Sequence, residues 1–164
     1  MGNPTIPQSS KSAATKLFRQ IENIYRFELT GQSWLPGNES ELIGSGAISI
    51  ERDGNALEIQ ESGKCRYSHS PAMTKFHNTW IIELLDAQKL LVARARSGSP
   101  CHLTDLVLCQ AGHWKGSQAY LCGEDSYKGE LYLLDRTRIR MDWTVSGPRK
   151  IYHLTRIFFS KLPA

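Results

Sequence analysis

No apolar run in the chain approaches the ~18 consecutive residues that a membrane-spanning helix needs. The opening residues, MGNPTIPQSSKSAATK, contain no apolar core of a secretory signal. These absences predict a cytoplasmic protein without a transmembrane segment. No two of the four cysteines, Cys65, Cys101, Cys109 and Cys122, are separated by two residues. Paired metal ligands and thioredoxin-type motifs are therefore unsupported, and reduced core or pocket thiols are expected. Helical spacing is scarce, and there is no internal repeat or low-complexity segment.

What is present is ordinary for a globular protein: 164 residues, 40% hydrophobic and 22% charged, which argues against disorder. One domain is the default at this length. Residues 1–11, rich in Pro, Ser and Asn, read as a flexible tail, and residues 12–164 as a single domain. The net charge of +4 permits an anionic partner without demanding one.

A short helix is predicted near Ser12 to Ile24, with Ser12 as its cap and Leu17, Ile21 and Ile24 on one face. From Tyr25 onward the period is two. Tyr25, Phe27 and Leu29 alternate with Arg26, Glu28 and Thr30, a half-buried strand. Residues 34–38 read as loop. Asp53-Gly54 is a strong hairpin pair, and Asp86-Ala87-Gln88 marks a second turn. Ser97-Gly98-Ser99-Pro100 breaks the chain again. Ile139, Met141, Trp143 and Val145 alternate with Arg140, Asp142, Thr144 and Ser146, and Gly147-Pro148 turns the chain back. The total is about nine or ten short strands, the pattern of an antiparallel barrel or sandwich.

Each motif has a bland and a sharp reading. Gly44-Ser45-Gly46 lacks the third glycine and the following helix of a dinucleotide fingerprint, so it reads as a glycine-rich strand start. Cys101, His102, Cys109 and His113 are too scattered for a zinc site. Arg136, Arg138 and Arg140 share a strand face, either the solvated outside of a sheet or a basic stripe for phosphates. Arg94 and Arg96 alternate with Ala93 and Ala95, partners too small to say which face is inside. Were the arginines inward, they would clamp an anionic head group.

Cys122, Asp125 and Tyr127 precede one strand, while Trp143, Arg149 and Lys150 flank a later turn. Antiparallel neighbours would gather them as a pocket rim, or Asp125 would simply pair with Arg149. The run Cys122-Gly123-Glu124-Asp125-Ser126-Tyr127, followed by Trp143-Thr144-Val145-Ser146-Gly147-Pro148-Arg149-Lys150, resembles the closing signature of the family called domain of unknown function 6314. Glu61-Ser62-Gly63 and Arg66-Tyr67 fit an upstream segment of it. The resemblance implies a lipocalin-like, or calycin-like, antiparallel up-and-down barrel of about eight to ten strands with one N-terminal helix. It implies no activity. Tyr120 stands where that family has His and Ile151 where it has Asp, so a site built on those two would be altered here.

The leading expectation is a ligand-binding barrel. Its interior would hold a small hydrophobic or amphiphilic molecule with an anionic group, lined by Trp80, Tyr127, Trp143 and Phe158. Cys122, Asp125, Arg149 and Lys150 would stand at the rim. An alternative is a small enzyme, an isomerase, cyclase or hydrolase. Asp125 or Tyr127 would then act as acid or base and Arg149 would stabilise an oxyanion. A third reading, a nucleic-acid or protein adaptor on the arginine-rich strand, lacks the stacking aromatics that single-strand binders use. The sequence leaves any cofactor unidentified and supports no metal site.

Overall fold

The computed structural model describes residues 13–34, 39–96 and 99–162. The expected tail, the Ser12 cap, loop residues 35–38 and residues 97–98 of the expected break lie outside these, as does the side chain of Arg96; Ser99 and Pro100, expected in that break, already belong to a strand.

Helix α1 (Ala13–Glu22) buries Ala14, Leu17, Phe18 and Ile21, the three- and four-residue spacing of one helical face. It ends before Ile24, which already opens a strand. Eleven strands follow. These are β1 (Ile24–Ser33), β2 (Ser40–Asp53), β3 (Ala56–Tyr67), β4 (Thr74–Asp86), β5 (Lys89–Arg96) and β6 (Ser99–Gln110). They continue with β7 (His113–Gly116), β8 (Tyr120–Cys122), β9 (Asp125–Leu133), β10 (Arg138–Ser146) and β11 (Ile151–Ser160). Each pairs antiparallel with its neighbours. The pairing of β9 with β10 closes the sheet into a ten-stranded, lipocalin-like barrel. Strands β7 and β8 share one edge of β9, facing its second half and its start respectively. Closure leaves the ring itself no edge to aggregate.

Two bulges set which side chains face inward. One, between Ile24 and Arg26, buries Ile24 and turns Tyr25 out to 41% exposure. The expected inward alternation therefore starts at Phe27 rather than Tyr25. The other, where Val92–Ala93 faces 102–104, lets Cys101 and Leu103 face the interior above Thr104 and Leu106. On β10, Ile139, Met141, Trp143 and Val145 are all buried, as their alternation predicts.

Helix α1 closes one end of the barrel. Its Ala14 N–H donates to Ala87 O at 3.1 Å, and Arg52 pairs with Glu22 at 3.1 Å. The interior next to it is packed solid by Ile21, Ile24, Ile82, Leu131, Met141 and Phe158, leaving a gap of only about 20 Å³. Phe158 belongs to this packed half and not to the open cavity where it was expected. The opposite end stays open.

Candidate functional site

The floor of the open half is a pair of indoles. Trp80 on β4 and Trp143 on β10 stack across the barrel with centroids 6.1 Å apart and planes at 16°. Gly129 lies opposite Trp143 on β9. A Cβ there would come within 2.9 Å of the Trp143 ring, so the glycine makes room for the indole. Above this floor is a cavity of about 260 Å³, walled largely by aliphatic and aromatic side chains. That is near the lower end of ligand-pocket sizes, roughly 300–1,000 Å³.

A polar cluster interrupts this apolar wall. Glu61 on β3 is fully buried, and Arg156 on β11 is 5% exposed. Arg156 Nε lies 3.0 Å from Glu61 Oε1, but neither atom makes a hydrogen bond; the contact is an ion pair without hydrogen-bond alignment. Asn78 Nδ2 donates to Glu61 Oε2 at 3.2 Å, and Arg94 donates to Asn78 Oδ1 at 2.5 Å. Both guanidiniums lie over Trp80, Arg156 at 5.4 Å and Arg94 at 5.7 Å from its centroid, a cation–π arrangement. The indole Nε1 atoms of Trp80 and Trp143 are buried without a protein acceptor. Such orphan donors are rare in protein interiors.

Three tyrosines stand towards the mouth. The rings of Tyr120 and Tyr127 are 5.9 Å apart, and Tyr120 Oη lies 3.3 Å from Cys101 Sγ. Burial pushes the Tyr152 phenol up to about 12, helped by the charge and hydrogen bond of Tyr127. Tyr152 is thus a neutral hydroxyl at neutral pH.

Of the residues expected at the site, Cys122, Tyr127 and Trp143 line the cavity. Asp125 and Lys150 stand at the same end but outside that lining, joined as a 3.2 Å ion pair. The Asp125 hydrogen bond is the main cause raising the Lys150 pKa. A methyl group at Gly147 would collide with the Asp125 carboxylate, which accounts for glycine in that turn. The expected Asp125–Arg149 pair does not form. Arg149 is exposed and borders a neighbouring groove with Gly31, Ser40 and Tyr67. Lys150, one residue further on, is nearer the β8–β9 turn and takes the carboxylate instead.

The remaining motifs fall outside the cavity. Arg138 pairs with Asp135 and Arg140 with Asp142, both at 2.8 Å. The outer stripe is therefore locally compensated. Among the described residues no three acidic, His or Cys side chains form a metal-binding group. Gly44 and Gly46 lie within β2 against β3, with no helix after them.

Glu61, Asn78 and Arg156 were missed from the sequence, and the direction of Arg94 was left open. Their shared signal is phase. Glu61 continues Leu57 and Ile59; Asn78 stands between Phe76 and Trp80; Arg94 follows Leu90 and Val92; Arg156 stands between Leu154 and Phe158. Each is a polar residue in the apolar register of its strand.

Residues 16–159 match the family of unknown function DUF6314, and the chain belongs to that family. No curated protein matches it in sequence. Among solved structures it is similar to an S-type phycobiliprotein lyase from Guillardia theta, with TM-score 0.67 and 7% identity. That match covers 94% of this chain and 96% of the lyase. A de novo designed fluorescence-activating β-barrel aligns over 87% of this chain and 96% of its own, with TM-score 0.43 and 12% identity. The first likeness shows the fold. Among the described residues no helix is long and apolar enough to cross a membrane.

Proposed function

We propose that this protein binds a small amphiphilic molecule bearing an anionic group in the open half of its barrel. The observation that carries this reading is the donor set inside an otherwise apolar cavity: the indole N–H groups of Trp80 and Trp143 are buried without acceptors, beside the guanidiniums of Arg94 and Arg156. A buried donor without an acceptor is costly, and an anionic group of a bound ligand would supply one. Cys122, Tyr127 and Trp143 serve as contact residues, while Asp125 and Lys150 stand at the rim and Arg149 borders the groove beside it. The lyase-like fold supports small-ligand binding in general.

The test uses 1-anilinonaphthalene-8-sulfonate, itself an anionic amphiphile, with native mass spectrometry of the freshly purified protein. Saturable dye fluorescence that is lost when Cys101→Trp fills the cavity supports the reading. Dye bound equally by that variant, or no dye uptake together with no co-purified molecule, overturns it.

A further inference from the structure

Cations and apolar side chains alternate on the outer wall beside the open end, where the cavity does not use them. We infer that this face docks the barrel on an anionic lipid bilayer, with the open end turned to the lipid, whatever the cavity holds.

Strand alternation puts these residues outside. On β2, β3, β4 and β11 the cavity takes Leu42, Cys65, Phe76 and Tyr152, so Ile43, Arg66, Lys75 and Ile151 point outward. Lys64 shares the outer face of β3 with Arg66. Grooves with common walls join the set. Tyr67 borders one groove with Arg149 and another with Ile43 and Arg66. A third is lined by Lys64, Met73 and Lys75. After β1, the Trp34 N–H donates to Ile151 O at 3.0 Å, which places Trp34 next to the β10–β11 turn. Ile43 and Met73 are more than half exposed, and Trp34 and Tyr67 nearly half. Single exposed apolar residues are ordinary, but a set of them bordered by charges marks an interaction surface.

The charges select the partner. Among the described residues, which include every Asp and Glu of the chain, none of Lys64, Arg66, Lys75 and Arg149 forms an ion pair. Lys64 and Lys75 are direct cross-strand partners, a like-charge contact that repels. Across β2, Lys64 and Arg66 face Ser45 and Ile43; Glu41 is the carboxylate of β2 at this end. A second copy of the chain would set cation against cation. A nucleic acid finds no stacking face on Ile43, Met73 or Ile151. A protein interface gathers its apolar residues into a core depleted of charge, whereas here the two kinds interleave. An anionic bilayer meets both. Its headgroups attract the cations, its acyl region takes the aliphatic side chains, and Trp and Tyr favour the boundary between them.

The experiment measures co-sedimentation of the full chain with vesicles of equal parts phosphatidylcholine and phosphatidylserine, and with phosphatidylcholine alone. Wild type should bind the mixed vesicles and leave the neutral ones. Lys64→Gln with Lys75→Gln should weaken that binding by about tenfold or more. Lys16→Gln with Arg19→Gln removes the same charge from exposed positions of α1 at the closed end and should leave binding unchanged. Ile43→Ser with Met73→Ser should weaken it through lost apolar insertion. Lipids brominated on the acyl chain should quench wild-type fluorescence, and Trp34→Phe should lose most of that quenching, because Trp80, Trp114 and Trp143 are buried. No sedimentation with mixed vesicles overturns the inference. So do equal losses from the two charge variants, full binding by the Ile43–Met73 variant, or quenching that survives Trp34→Phe. Binding of oligothymidylate through Lys64 and Lys75 without vesicle binding also overturns it, in favour of a nucleic-acid face. Cys101→Trp, which fills the cavity, should keep vesicle binding while losing the dye, so the docking face and the ligand site fail separately.

Discussion

Breaking the Arg156–Glu61 pair from one side should destabilise the barrel strongly, and breaking it from both sides should not. The side chains are 6% and 0% exposed and their charged atoms are 3.0 Å apart. At an effective dielectric of about 20, that separation gives a raw attraction of about 5–6 kcal/mol. Desolvation of both ions opposes it, and the contact lacks hydrogen-bond alignment, so the net contribution of the pair is small. Arg156→Met removes the attraction and leaves Glu61 buried without its cationic partner, which costs about 3–5 kcal/mol. Glu61→Gln orphans Arg156 and should cost a similar amount. The double variant removes both charges, and the amide introduced at position 61 keeps an acceptor for Asn78 Nδ2, so its loss should be under ~2 kcal/mol. Urea unfolding of the four proteins forms a double-mutant cycle. A coupling of several kcal/mol is expected. Additive losses would show that the two side chains do not compensate each other.

Three further outcomes follow from the same structure. Trp143→Ala should lower stability by ~3–5 kcal/mol in urea unfolding, because the indole is 5% exposed and forms half of the cavity floor; a near-zero loss would contradict its burial. Gly129→Ala should cost about 1–3 kcal/mol and alter the near-ultraviolet circular dichroism of the Trp80–Trp143 stack, since its methyl would press on the Trp143 ring. Asp135 is held down to about 2 from 3.8, first by the Thr137 backbone N–H and then by Arg138. Because the folded pKa is the lower one, its stabilising contribution is complete above the unfolded value and is lost as pH falls towards about 2. Asp135→Asn should therefore flatten the acid limb of the stability curve in that window, and an unchanged limb would refute the assignment.

By itself the sequence determined the local structure and the fold class. Alternation of apolar and polar residues is a property of each strand alone, so β2 to β6 and β9 to β11 were legible, as was the Asp53-Gly54 turn. The four-residue β7 was not, because a segment ending in Gly116 and too short to show a period carries no signal of its own. The closing signature from Cys122 to Lys150 was enough to resemble the family to which the chain belongs. It also marked Cys122, Tyr127 and Trp143, which line the cavity. It did not give the right partner for Asp125, since a choice between Arg149 and Lys150 turns on one residue of turn geometry. The direction of Arg94 stayed open beside two alanines. Arg156 lies in a strand apolar on both faces, with Leu154 and Phe158 on one side and Ile157 and Phe159 on the other. Only closure of the barrel, through β9 against β10, brings β3, β4, β5 and β11 around one interior. There Glu61, Asn78, Arg94 and Arg156 meet across up to 95 residues of chain. Such a cluster is a relation between distant strands, and pairing decides it where composition and period cannot.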